Sequence, residues 1–373
     1  MTDKSKLFKC CAFLVVALFI TLGSSASVRA DEEKGILIRA ACAYPGSLKG
    51  LGTAPKWIAD KIEILSGGSL KMNVYEPGKL VKPMEILNTV SAGKIQAGFA
   101  ASGYWAGTMP AAAFFTSIPF GPGPAEFLAW MYHGNGLKLY QEMYDKGGYN
   151  VKVFPCTLGP PETAGWYRKE IKSPEDLKGL KMRFFGLGAS VMEKLGVNVT
   201  SSTPGGVFTA LEKNVIDATE FSMPNVDAMA GFYKVAKYNY FPGWHQQSVI
   251  LEFLLNKDVW KKMSKRQKMC IEILCQAATA DIFALGESLQ GEALKENVKK
   301  HGVEMRYWSD DMLEAFQRAW LEVVEEQCAK DAFFKKVWDD LSEFRENYKI
   351  WSAYGFLPRP KPEDVMAELY SNK

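Results

Sequence analysis

The chain has 373 residues, of which 47% are hydrophobic, with 45 Lys+Arg against 42 Asp+Glu, 32 Gly and 18 Pro. This is the make-up of a globular protein of two or three packed units, and it excludes disorder and collagen-like repeats. Its three histidines (His133, His245 and His301) are widely spaced and form no ligand pattern, so a His-rich zinc site or a Ser-His-Asp centre has almost no raw material.

The N-terminus reads as a cleavable secretory signal. Lys4, Lys6 and Lys9 make a basic start, residues 10–22 are apolar, and Val28-Arg29-Ala30 offers small residues at positions −3 and −1 of a cut after Ala30. The apolar run of about 13 residues is short for a spanning helix, which needs roughly 20; an uncleaved anchor is the competing reading. Loss of residues 1–30 removes four basic groups and one acid, which takes the formal charge from +3 to 0 and leaves nothing to suggest nucleic-acid binding. The remaining cysteines, Cys42, Cys156, Cys270, Cys275 and Cys328, are odd in number and give no disulfide framework. They read as mostly buried thiols, with one disulfide of an exported protein left open but unassignable, and Cys270 and Cys275 lie too far apart around a helix to face one ligand.

In chain order, residues 35–40 form a short apolar strand, residues 57–65 a helix stopped by Ser66-Gly67-Gly68, and residues 70–75 an alternating strand. The order strand, helix, strand indicates a parallel α/β layer. Residues 90–97 and 211–218 resemble each other: each ends a helix at Gly93 or Asn214 and is expected to start a strand one residue later, with Ile and Ala in matching places. Because strand ends in parallel sheets open onto a ligand crevice, the segments that follow make Tyr104, Trp105, Glu220 and Phe221 pocket candidates. Residues 173–179 read as a short helix, with Ser173 as cap, Pro174 at its first position and Gly179 as stop. The strand over 180–184 then carries Arg183, placed as a two-pronged clamp for a carboxylate or, in the plainer reading, as a surface ion pair. Beyond residue 255 the pattern is helical. Val337, Leu341, Phe344, Tyr348 and Trp351 form an aromatic stripe suited to packing on its own domain or to a homodimer contact.

Residues 162–170, Leu177-Lys178-Gly179-Leu180-Lys181-Met182-Arg183, residues 210–220 and residues 231–244 resemble the solute-binding subunits of tripartite ATP-independent periplasmic (TRAP) transporters. Residues 114–121 and 129–132 are similar to the branch that binds 2-oxoacids, lactate and related monocarboxylates, in the mannitol/chloroaromatic-type group, and the likeness runs from about residue 36 to 358. The resemblance implies an α/β fold of periplasmic-binding-protein type: two domains about a cleft, a long helix spanning both, and a C-terminal helical extension. The expected bounds are 31–157 plus about 248–285 for domain I, 158–247 plus about 286–310 for domain II, and 311–373 for the C-terminal helices. It further implies a periplasmic, non-catalytic protein that captures a small organic acid for TRAP membrane subunits. Arg183 would grip the carboxylate, with Tyr104, Trp105, Glu162, Phe221 and Gln247 contacting the solute. A metal ion would sit on Glu162, Glu220, the Phe221 carbonyl and Gln247.

The chain departs from that pattern where it has Glu162 for a frequent Gln, Phe221 for a frequent Trp, Gly103 for the first aromatic of a Tyr-Tyr pair, and Pro224-Asn225-Val226-Asp227 for Pro-Tyr-Asp-Asp. The smaller residues suggest a larger pocket that admits a bulkier or aromatic acid, the competing reading being that neighbours such as Tyr104, Trp105 or Phe185 fill the space. Two carboxylates, one arginine and a monocarboxylate sum to −2, which favours Ca2+ over Na+; the competing readings are a protonated Glu162 with a raised pKa, or a Glu162 turned away to pair with a nearby Lys or Arg, with Na+ or no metal bound. A different class of function, an exported carbohydrate- or acid-processing enzyme with Glu162 and Glu220 as an acid/base pair, fits less well because Arg183 between two acids suits anion binding.

Overall fold

The computed structural model describes residues 33–200 and 206–371. The chain divides into Met1–Gly35, where only residues 33–35 are described and carry no regular structure, and the compact unit Ile36–Lys373. The leader expected over residues 1–30 lies outside the described residues.

Eleven strands are described: β1 (Ile36–Cys42), β2 (Leu70–Tyr75), β3 (Ala97–Ala100), β4 (Val151–Gly159), β5 (Gly165–Tyr167), β6 (Lys181–Arg183), β7 (Asn198–Thr200), β8 (Ala218–Thr219), β9 (Tyr238–Phe241), β10 (Val249–Asn256) and β11 (Glu304–Tyr307). They form one five-stranded sheet ordered β2-β1-β3-β10-β4 and one six-stranded sheet ordered β11-β9-β5-β8-β6-β7. The alternation read over residues 70–75 is real: Leu70 and Met72 are buried while Lys71 and Asn73 are not. Alternation of this kind is what a strand with one covered face requires.

The internal similarity is a repeated topology. In the first sheet β1 pairs in parallel with both β2 and β3, and in the second β6 pairs in parallel with both β7 and β8. Each third strand then meets an antiparallel neighbour from elsewhere in the chain, β10 beside β3 and β5 beside β8. The preceding helices, Ile86–Ser91 and Val207–Glu212, are followed by left-handed residues, Gly93 at φ 70° and Asn214 at φ 59°. The strands begin at Ala97 and Ala218, four residues past those stops rather than one. The intervening residues carry the chain from the helix layer down to the sheet, and Ile95 and Ile216 are buried in that passage.

Three segments connect the sheets. The chain passes from β4 to β5 through residues 160–164 and returns from β9 to β10 through residues 242–248. The third is the helix Lys265–Lys299, whose 35 residues reach about 52 Å. Its start is held by a capping box, in which the Gln267 amide donates to Ser264 Oγ and the Ser264 amide donates to Gln267 Oε1. It packs against β4 on one side and the helix Pro224–Ala230 on the other. At this crossing Gly286 is required by space: a Cβ there would lie 2.8 Å from Pro160 Cδ.

The C-terminal helices are shared between the two sides. Asp310–Lys330 packs on the helix Leu187–Lys194, and Ala332–Gly355 packs on residues 110–115 and on the helix Pro124–His133. The expected single stripe therefore divides. Val337 and Leu341 are buried against the protein's own core, whereas Trp351 is 59% exposed and stands beside exposed Ile350, Tyr354, Phe356 and Leu357. All five described cysteines are free thiols, with Cys42, Cys156 and Cys275 buried and Cys270 and Cys328 partly exposed.

Candidate functional site between the two sheets

Strand ends from both sheets and one connecting segment converge on a single cavity. The parallel register that sets Arg183 opposite Thr219 brings the ends of β6 and β8 together, so Glu220, one residue past β8, meets the Arg183 side chain. Arg183 Nη1 donates to the Glu220 carbonyl at 2.8 Å and to its carboxylate oxygens at 2.8 and 3.1 Å. The Phe185 amide donates to Glu220 Oε1 at 2.8 Å. Both members of this ion pair are buried, so the surface-pair reading of Arg183 is overturned.

The connecting segments add the second carboxyl. The Glu162 amide donates to the Gln246 carbonyl at 3.2 Å, and Glu162 Oε2 lies 3.3 Å from His245 Nε2. Oxygen and nitrogen atoms of Glu162, Glu220 and His245 all fall within 4.8 Å of one another. The first sheet supplies the floor. There the Ser102 hydroxyl donates to the Ala112 carbonyl at 2.8 Å and pairs with Thr116 Oγ1, while the Gly103 amide donates to the same Thr116 oxygen at 2.9 Å.

Charge is concentrated here. Burial, and then the neighbouring Glu220 charge, push the Glu162 carboxyl well above the usual carboxylate range, with Arg183 offsetting part of the shift. Burial also pushes up Asp227, whose Oδ2 accepts from Trp166 Nε1 at 2.8 Å. Burial lowers His245 to about 4, so its ring is neutral at pH 7. Two acids, Glu162 and Glu220, thus share the cavity with a single guanidinium, and both lie within reach of the His245 imidazole. That donor set fits a cation.

Tyr104, Glu162, Arg183, Glu220 and Phe221 line a cavity of about 40 Å³ together with Tyr44, Phe185, Ser222 and Gln246. Two expected contacts are not among the lining residues. Trp105 turns away, its indole donating at 2.9 Å to buried Glu252, which also accepts from the Tyr140 and Tyr144 hydroxyls. Gln247 folds back to donate to the Gly243 carbonyl at 2.8 Å, leaving its neighbour Gln246 at the cavity.

The enlarged pocket expected from Gly103 and Phe221 is not found. Phe185 occupies the space beside Gly103, and Phe221 is backed edge-on by Phe232 with ring centroids 5.0 Å apart. His245, Gln246 and Tyr44 escaped the sequence reading as site residues. The position of Gln247 was the available signal for the first two, since all three share one connecting segment.

Comparison with known proteins finds relatives over most of the chain. A family model for bacterial extracellular solute-binding proteins of family 7 matches residues 42–331. The chain is 34% identical over 311 residues to the monocarboxylate 2-oxoacid-binding periplasmic protein of Nostoc sp., covering 83% of this chain and 85% of that one. A TRAP transporter solute-binding protein from Bordetella bronchiseptica, solved as a mixed-occupancy dimer with copurified calcium and picolinate, superposes with a TM-score of 0.83 at 27% identity, covering 91% of this chain and 98% of that one. One from Pseudoalteromonas atlantica with bound sodium and pyruvate superposes with a TM-score of 0.82 at 30% identity, covering 86% and 97%.

Proposed function

The chain belongs to the bacterial extracellular solute-binding proteins of family 7, and on that premise we propose that it captures a short 2-oxo- or 2-hydroxymonocarboxylate together with a cation and delivers it to TRAP membrane subunits. It is a solute-binding protein and not an enzyme, as its relatives are. The observation that carries the reading is the buried Arg183 flanked by Glu220 and Glu162 at a cavity between two sheets. A guanidinium there attracts a carboxylate, and the paired acids demand a positive ion.

Arg183 is the anchor of the solute carboxylate, with Tyr104 and Phe221 as walls. Glu162, Glu220 and the Phe221 carbonyl would hold the cation, with His245 orienting Glu162 through its ring nitrogen. A divalent ion held by these residues would neutralise the excess of carboxylate and would attract solute oxygens. Burial and the Glu220 charge favour the protonated form of Glu162 in the metal-free site; with that proton displaced by a cation, Glu162, Glu220, Arg183 and the solute sum to −2, which favours Ca2+ over Na+. The relatives' calcium and sodium make both worth testing.

The two sheets serve as domains I and II, and the connecting segments at 160–164 and 242–248 are the hinge. Residues 1–30 act as a signal cleaved after Ala30, consistent with the extracytoplasmic place of the family. The exposed end of the helix Ala332–Gly355 is the contact of a homodimer, in keeping with the Bordetella dimer.

Calorimetric titration tests the core of this reading. After exhaustive chelation the protein is titrated with pyruvate and lactate, then again with Ca2+ or Na+ restored. Binding that appears with Ca2+ and is lost in chelator is the expected result. Failure of every acid under every ion condition refutes the assignment.

A further inference from the structure

Phe185 leaves β6 on the side of the second sheet, yet its ring ends against the floor built by the first. A Cβ placed on Gly103 would lie 2.7 Å from Phe185 Cζ and 3.1 Å from Cε1, so the ring tip fills the volume that any other residue at 103 would need. Cβ contacts that short do not occur without displacement of a neighbour.

The backbones of both partners are tied in place. Gly103 is tied through its amide to Thr116 Oγ1, itself paired with Ser102. Phe185 is tied through its amide to Glu220 Oε1, and its ring meets Tyr104 edge-on at 5.5 Å, with Tyr104 stacked in turn on Tyr44 at 6.1 Å. The same ring borders the cavity that holds Arg183, Glu162 and Glu220. About 40 Å³ is space for on the order of three waters.

We infer that the Phe185–Gly103 contact, made across the cleft, is the size gate of the site: it limits the protein to unbranched acids of about three or four carbons and makes closure depend on that size. This rests on the functional reading above and adds to it the residues that select the solute. A branched or ring-bearing acid needs the Phe185 ring displaced, and displacement gives up the contacts to Gly103 and Tyr104 that join the two sides.

The test uses the full mature chain with Ca2+ present and three probes: pyruvate, 3-methyl-2-oxobutanoate and picolinate, measured by calorimetry. Wild-type protein is expected to favour pyruvate over both bulkier acids by about tenfold or more, the scale on which an apolar pocket discriminates extra carbons. Phe185→Ala and the milder Phe185→Leu should narrow that preference to about threefold or less, chiefly by gaining the larger acids. Gly103→Ala should weaken pyruvate by about tenfold, and Gly103→Ala with Phe185→Ala should regain most of that loss because the new Cβ then has room. An unchanged preference in folded Phe185→Ala or Phe185→Leu, or native pyruvate affinity in Gly103→Ala, overturns the gate while leaving the functional reading intact. A wild-type protein that binds none of the acids overturns both.

Discussion

Replacing Arg183 with Met separates two roles that one side chain combines. Its Nη1 makes three contacts to Glu220, and both residues are buried. Removing the guanidinium leaves Glu220 buried without its counter-charge and near two further acids, Glu162 and Asp227. Breaking a buried pair from one side costs about 3 to 5 kcal/mol of stability. The guanidinium carbon also lies 5.7 Å from the centre of the Phe221 ring, a contact worth about 1 kcal/mol when desolvated. Adding Glu220→Gln removes the orphaned charge, so the double variant should recover to within about 1 to 2 kcal/mol of wild type.

Binding should not recover with stability. The solute carboxylate loses its anchor in both variants, at a cost of about 2 to 5 kcal/mol, or roughly 30-fold to several-thousand-fold in Kd. Urea unfolding at pH 7.5 in chelator measures the first quantity and calorimetry with pyruvate and Ca2+ the second. Near-native affinity in Arg183→Met would refute the anchor role. A double variant no more stable than the single one would refute the charge argument.

Two further outcomes follow from groups away from the cavity. Burial pushes the Glu252 carboxyl up from 4.5 to about 7. The folded state therefore keeps this proton longer than the unfolded one, so the stabilisation is complete below pH 4.5 and is lost as pH rises through 7. The stability of wild type relative to Glu252→Gln should fall by about 2.5 kcal/mol between pH 5 and 8, and a flat difference in urea midpoints over that range would mean the carboxyl titrates normally. For the homodimer, light scattering at ten-micromolar protein should give twice the chain mass, with Trp351→Glu or Tyr354→Glu reducing it to one chain. A single-chain mass for wild type would end that proposal.

The parts of this protein legible in its sequence are those governed within a few residues. The alternation of residues 70–75, the left-handed stops at Gly93 and Asn214, and the cap at Ser173 depend on local backbone geometry and the nearest side chains. The positions of Arg183 and Glu220 were legible for the same reason, since each lies at the end of a recognisable strand. Tertiary packing alone decided what occupies the cavity. The sequence leaves open whether Gly103 enlarges the pocket or a neighbour such as Phe185 fills it, and only packing brings that ring from the other sheet; Trp105 reads as a pocket wall until Glu252, Tyr140 and Tyr144 draw its indole away. His245 has no partner pattern along the chain because Glu162 reaches it only through the second crossing between the sheets. Hydrogen bonding and periodicity act over one or two turns, whereas the volume and charge of a cleft are set by side chains that meet only after distant segments have packed.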